Sequence, residues 1–262
     1  MKTTLLRSAL MLIICSAASQ SFAQWTESFQ SNFANCVGVD GDTLFVGTGY
    51  SGVYRSPDNG ATWTQINAGL TSTSINCFAF IGTNVFAGTY GGGICRSTNT
   101  GASWTYWTGA NDISTASTEV TALAVSGTKL FAATYGEGIF LSTDNGGSWI
   151  PSDSGLSDTY VTSLAAEDTN TFAGTFAGGL SWTNVLPENV TSFGIPAMTA
   201  ERTSIFAGTG QGVFLSTDEG TSWTQADSGL TNWDIQSLAV SGTAVFAGTE
   251  NGTFLSTDNG AF

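Results

Sequence analysis

The sequence predicts an all-β protein, a propeller of about six four-stranded blades, and three observations carry that prediction. An apolar strand ending in Gly-Thr or Ala-Thr recurs six times: LFVGT (44–48), VFAGT (85–89), LFAAT (130–134), TFAGT (171–175), IFAGT (205–209) and VFAGT (245–249). Its phenylalanines, Phe45, Phe86, Phe131, Phe172, Phe206 and Phe246, are spaced by 41, 45, 41, 34 and 40 residues, the period of a four-stranded blade. The stretches between them are short, alternating and cut by Gly, Ser, Thr and Asn, with no sustained 3.6-residue periodicity.

One unit shows how each element arises. Strand a is VTALAV (120–125), the tight turn SGT follows, strand b is KLFAAT (129–134), a glycine loop YGEG leads to strand c, IFLS (139–142), and STDNGGSW (142–149) turns into strand d. The alternating Ala122, Leu123 and Val125 suit a blade packed against a neighbour on each face. Nine residues before each phenylalanine stand Cys36, Cys77, Ala122, Ser163, Ala197 and Ser237. All are small, as crowded innermost strands require, so Cys36 and Cys77 are expected as buried packing residues, not reactive thiols. Cys95 takes a place held by Tyr54, Phe140, Phe214 and Phe254 in other units and is expected in the core.

The c–d turn repeats as SPDNGATW (56–63), STNTGASW (97–104), STDNGGSW (142–149) and STDEGTSW (216–223), and a fifth copy, STDNGAF, occupies 256–262. In this pattern the Asp side chain can accept backbone N–H groups across the turn, Gly takes a conformation closed to other residues, and the Trp opens the next strand with its indole between blades. Asp58, Asn99, Asp144, Asp218, Asp258, Trp63, Trp104, Trp149 and Trp223 are therefore expected to be structural; Asn99 keeps one acceptor, which suits a turn better than a catalytic carboxylate. The fourth unit, GGLSWTNVLPENVTSFG (178–194), has Trp182 but no such turn, and Pro187 falls where the turn belongs; it is expected to be a degenerate blade.

The repeat Ser-x-Asp-x-Gly-x-Ser/Thr-Trp resembles the Asp-box, or BNR repeat, over nearly the whole chain after its leader. The resemblance implies a propeller and says little of activity, since the family spans sialidases, other glycoside hydrolases, sortilin-type receptors and photosystem assembly factors. It also implies that the boxes lie on the face away from the ligand site. A sialidase-type site needs three arginines, a tyrosine nucleophile and an early Arg-Ile-Pro-type motif; that motif is absent, and Arg55 and Arg96 precede the box on the wrong half of the blade. The arginine patch expected of the photosystem assembly factors is missing too.

Residues 1–23 read as a signal peptide: Lys2 and Arg7 precede an apolar run from Ala9 to Ile14, and Ser21-Phe22-Ala23 suits a signal peptidase. The propeller domain is then 24–262, secreted, periplasmic or at the cell surface. A lipoprotein anchor at Cys15 is disfavoured by the bulky Ile14. No second long apolar run offers a membrane span. Removing the leader leaves four basic residues against 20 acidic ones, a net charge of −16, which repels nucleic acid and anionic lipid. Three cysteines then remain, an odd number that cannot form a complete disulfide framework. The absence of histidine removes the usual general base and zinc ligand, so neither cofactor nor metal is expected. A monomer is expected.

The b–c and d–a loops share one face of a propeller, and function is sought there. Candidate ligand-face residues are Trp107, Glu137, Trp233, Asp234, Tyr90 and Tyr135, since aromatic rims with scattered carboxylates suit a sugar. The expected function is a secreted, non-catalytic propeller presenting this face to a glycan or protein. The alternative is a glycoside hydrolase using a carboxylate pair drawn from Glu137, Asp112, Glu119, Asp158 and Asp234. Two readings of the last blade stay open: the strand-d text of Trp25 to Ser28 completes it, or the chain is part of a longer protein with more blades or a sorting domain.

Overall fold

The computed structural model describes residues 33–106, 118–154, 156, 158–167, 170–176, 180–181, 194–201, 203–241 and 243–258. They form six antiparallel sheets in chain order. The first holds β1 to β4 (Ala34–Asp40, Thr43–Thr48, Val53–Ser56, Thr64–Gln65) and the second β5 to β8 (Ile75–Ile81, Asn84–Thr89, Ile94–Ser97, Thr105–Tyr106). The third holds β9 to β12 (Val120–Ser126, Lys129–Thr134, Ile139–Ser142, Ile150–Pro151) and the fourth β13 to β15 (Val161–Glu167, Asn170–Thr175, Leu180–Ser181). The fifth holds β16 to β19 (Ala197–Glu201, Ser204–Thr209, Gly212–Ser216, Thr224–Gln225) and the sixth β20 to β22 (Ile235–Ser241, Ala244–Thr249, Gly252–Ser256). Each innermost strand packs on the innermost strand of the next sheet, the arrangement of a β-propeller.

Local chemistry explains the strands. The a–b connections of the first three sheets are two-residue turns whose first residue is Gly41, Gly82 or Gly127, each with φ between 56° and 59°; glycine at that place is what a twisted hairpin of this kind requires. The b strands of the first, second, third and fifth sheets are buried along nearly their whole length, that of the sixth alternates, and the d strands at the rim are largely exposed.

The small residues of strand a and the Gly of strand b turn out to be one feature. Cys36 pairs with Gly47, Cys77 with Gly88, Ser163 with Gly174 and Ser237 with Gly248. A Cβ on Gly47 would lie 2.7 Å from Ile75 Cγ2, and one on Gly88 2.7 Å from Val120 Cγ1. The first residue of the next sheet therefore presses on bare backbone, and at these positions a Cβ has no room. Burial pushes both thiols up, Cys36 well above its ordinary value and Cys77 to about 12; Cys95 is fully buried.

A second inter-sheet device has no counterpart in the sequence reading. Strand a carries a bulge near its start in five sheets, and in the first four of these the residue there reaches across to the next sheet. Asn35 Nδ2 donates to the Ile75 carbonyl (3.2 Å), Asn76 Nδ2 to Val120 (3.0 Å), Thr121 Oγ1 to Val161 (2.7 Å) and Thr162 Oγ1 to Ile195 (2.7 Å). The extra residue re-aims a side chain, which is the usual use of a bulge.

The c–d turns repeat one hydrogen-bond pattern. In 142–149, the Ser142 hydroxyl donates to Asp144 Oδ1 (2.8 Å) and accepts the Gly146 N–H (2.8 Å), while Asp144 also accepts the Ser148 N–H (2.8 Å) and hydroxyl (2.7 Å). Turns 56–63 and 216–223 match it, and in 97–104 the Asn99 amide donates to Ser103 Oγ where an aspartate would accept. The first serine, buried in all four, is thus as central as the carboxylate. Two successive residues, not glycine alone, are left-handed: Asn59, Thr100, Asn145 and Glu219 have φ from 52° to 59° ahead of Gly60, Gly101, Gly146 and Gly220. In the last turn the Ser256 hydroxyl donates to Asp258 (2.7 Å).

Two corrections concern the tryptophans. Strand d begins one residue after the Trp, at Thr64, Thr105, Ile150 and Thr224, because the Trp104 N–H turns away from its own sheet to the Ala68 carbonyl of the sheet before (2.8 Å). And while Trp104 and Trp149 are buried between sheets, Trp63 and Trp223 are half-buried, with indole N–H groups on the carbonyls of their own turns at Gly60 and Gly220 (both 3.1 Å). Among the described residues the fourth sheet shows three strands, the last of two residues. Trp182, Pro187 and Trp25 to Ser28 lie outside the described residues.

Candidate functional site

The b–c loops are built on a buried hydroxyl. In five of the six units the threonine closing the Gly-Thr or Ala-Thr strand donates to the carbonyl at the loop's far end: Thr48 to Gly52, Thr89 to Gly93, Thr134 to Gly138, Thr209 to Gly212 and Thr249 to Gly252, at 2.9–3.0 Å. The residue after that threonine is tied to the segment entering strand a: Tyr90 N–H to the Ser74 carbonyl, Tyr135 to Glu119 and Phe176 to Tyr160, each at 2.9 Å. Main chain fixed at both ends holds the intervening aromatic side chains outward, and Tyr50, Tyr90, Tyr135 and Phe176 are all exposed.

At the junction of the third and fourth sheets these rings meet. Tyr135 and Tyr160 form an edge-to-face pair with centroids 4.8 Å apart, and Phe176 stands 6.4 Å from Tyr135, also edge-on. A bridge pairing joins Tyr135 to Tyr160, and Gly136 and Gly138 both donate N–H groups to the Thr159 carbonyl (3.1 Å). The three rings remain 46 %, 45 % and 59 % exposed, so their mutual packing leaves their outer surfaces to solvent. Carboxylates border them. Exposed Glu137 accepts a long hydrogen bond from Thr118 Oγ1 (3.5 Å) and takes its own backbone direction from Thr134 Oγ1 (3.1 Å); Asp158 Oδ1 accepts the Tyr160 N–H (3.0 Å).

The structure gathers some of the predicted residues and separates others. Tyr135 and Glu137 share this patch. Trp233 and Asp234 sit at the junction of the fifth and sixth sheets: the Trp233 carbonyl accepts the Gly212 N–H (2.8 Å), and Asp234 accepts from Gln236 Nε2 (2.9 Å). Tyr90 stands on the second sheet, 60 % exposed. Trp107 and Asp112 lie outside the described residues. Tyr160 and Phe176 were not singled out from the sequence; the signal available was that Tyr160 immediately precedes a strand a and Phe176 immediately follows a Gly-Thr.

On the opposite face the turn carboxylates are held by donors from their own turns. The Thr62 hydroxyl and N–H bring Asp58 down to about 2, and the Ser148 and Ser222 hydroxyls lower Asp144 and Asp218. Both described arginines are engaged on this side: Arg55 donates to the Thr100 carbonyl of the next turn (3.0 Å), and Arg96 donates to Asn84 Oδ1 (3.1 Å). Among the described residues no three or more Cys, Asp or Glu side chains converge in a metal-binding group, and no helix is long and apolar enough to cross a membrane.

No known family profile matches the chain, and no curated protein sequence does. Many solved structures share its fold. The extracellular domain of BT4673 from B. thetaiotaomicron superposes with a TM-score of 0.66 at 20% identity over 85% of this chain, which spans only 31% of that one. YCF48 from Cyanidioschyzon merolae gives 0.65 at 16% identity, covering 86% of this chain and 82% of that one. The WD40 repeats of RRP9 give 0.67 at 16% identity, covering 87% and 77%. At such identities the likeness is one of fold: the chain is a β-propeller.

Proposed function

We propose that the protein is a secreted, non-catalytic Asp-box propeller of six blades that binds a glycan through the ring cluster Tyr135, Tyr160 and Phe176. One observation carries this: three half-exposed rings lock one another edge-to-face on the loop face, bordered by the carboxylates Glu137 and Asp158. Ring faces stack on the apolar side of a pyranose while carboxylates accept its hydroxyls, and rings already held by neighbours lose little entropy on binding. The Ser-x-Asp turns support the Asp-box reading, and the leader-like text of residues 1–23 supports export.

A glycan array probed with the mature protein tests it. Binding to a neutral saccharide is expected, falling at least tenfold in Tyr135→Ala and Phe176→Ala variants that keep the wild-type circular dichroism spectrum. If no saccharide binds, or the variants bind as well as the parent, the cluster is not a glycan site. Hydrolysis of aryl glycosides that disappears in Glu137→Gln or Asp234→Asn would replace the binding reading with the glycosidase one.

A further inference from the structure

The ring cluster at the fourth sheet has a counterpart on the first. Phe33, which enters β1, and Tyr50, in the loop between β2 and β3, form an edge-to-face pair with centroids 5.7 Å apart. Phe33 takes the place that Tyr160 takes before β13, and Tyr50 stands one residue further into its loop than Phe176 after β14. The main chain beneath is built alike. The Gly49 N–H donates to the Phe33 carbonyl as the Phe176 N–H does to Tyr160 (both 2.9 Å), and the Gly52 N–H donates to the Thr73 carbonyl at the entry to the second sheet (2.8 Å) as the Gly138 N–H does to Thr159 at the entry to the fourth (3.1 Å). Each loop is thus pinned both to its own sheet and to the next, and the rings of Phe33 and Tyr50 are left 57 % and 78 % exposed.

Between these two pairs the series of rings does not break. Tyr90 follows β6 on the second sheet and Tyr135 follows β10 on the third, both exposed. Tyr90 is held by its backbone on both sides, its N–H on the Ser74 carbonyl and its carbonyl under the Ser72 hydroxyl (both 2.9 Å). The inner strands β1, β5, β9 and β13 pack in that order, so exposed rings stand on four consecutive sheets. Among the described residues every exposed aromatic side chain lies on this loop face, Trp233 being the seventh, whereas the exposed large aliphatic ones, Val39, Ile150 and Leu255, are on strands.

Charge is divided the other way. The described basic residues are Arg55, Arg96 and Lys129; both arginines are engaged on the face of the c–d turns, and Lys129 opens β10 at its a–b turn. The loop face therefore offers a ligand rings and carboxylates, with no described cation among them. Such a surface repels an anionic chain and stacks on an uncharged one.

Resting on the glycan reading of the Tyr135 cluster, we infer that Phe33 and Tyr50 form a second sugar subsite, and that one linear, uncharged polysaccharide lies across Tyr90 from one ring pair to the other. Two subsites engaged by one ligand act at a high effective concentration, so a chain that spans both binds far more tightly than one that fills either alone.

Chain length tests it. Cello-, malto-, manno- and xylo-oligosaccharides of two and six residues are titrated calorimetrically into the mature protein, with hexagalacturonate as the anionic control. In the series that binds, the hexasaccharide is expected to bind at least tenfold more tightly than the disaccharide. Tyr50→Ala is expected to remove that advantage while the disaccharide still binds at the Tyr135 cluster, and Tyr50→Phe, which keeps the ring, is expected to retain it. Equal affinities for two and six residues, a hexasaccharide that Tyr50→Ala does not weaken, or equally tight binding of hexagalacturonate overturns the inference and leaves the Tyr135 site standing. If none of these oligosaccharides binds, the inference falls, and the glycan array decides the Tyr135 site by itself.

Discussion

Replacing Trp104 by Phe isolates the inter-sheet indole bond from the apolar mass around it. Trp104 is 4 % exposed and its N–H donates to the Ile66 carbonyl at 2.7 Å. Phenylalanine keeps most of the burial but leaves that carbonyl without its donor, a loss of ~1–3 kcal/mol, and the lost ring volume adds to it; a destabilisation of about 2–3 kcal/mol follows. Trp63, half-buried with its N–H on its own turn at Gly60, offers the matched control, and Trp63→Phe should cost ~0.5 kcal/mol or less, as partly exposed substitutions do. In urea, with a slope of ~2 kcal/mol/M, Trp104→Phe should lower the midpoint by about 1 M and Trp63→Phe by about a quarter of that. Fluorescence and circular dichroism melts read both. Equal midpoints for the two variants would refute the claim that the second sheet is anchored to the first through this indole.

Three further outcomes are expected. Gly47→Ala puts a methyl 2.7 Å from Ile75 Cγ2 and should cost ~1–3 kcal/mol by overpacking, measured as a fall in Tm; no change would mean the sheets are free to separate. Asp58 is lowered from 3.8 to about 2 when folded, so its contribution is present above about pH 4 and is lost as the pH falls from there toward 2; Asp58→Asn should flatten acid unfolding across that window. Cys77 is half-buried, and the desolvation that lifts it to about 12 keeps it a thiol at neutral pH, so a thiol reagent should label it far more slowly in the folded protein than in denaturant, and equal rates would contradict the packing described.

What could be read in the sequence was whatever repeats. Phe45 and its five counterparts, the Gly-Thr strand ends and the Ser-x-Asp turns are set by local chemistry: two-residue hairpins, left-handed turn residues and period-2 burial. The same chemistry recurs in each unit and so announces itself. Contacts made between units are legible only in three dimensions. That Asn35, Asn76, Thr121 and Thr162 reach the next sheet depends on a bulge, which no spacing in the text reveals. That Trp104 finds a neighbour's carbonyl while Trp63 turns back on its own turn is invisible in two octapeptides of one shared pattern.

The candidate site divides along the same line. Tyr135 and Glu137 stood out in the text because they occupy a loop on the expected ligand face, but nothing in the spacing joined Tyr135 to Tyr160, 25 residues on and in another sheet. The amino-acid sequence by itself determined the blade, because a blade is closed by neighbours in the chain. Only the tertiary structure decided which rings form one surface and which indole reaches the neighbouring sheet, because those depend on how one blade is rotated onto the next.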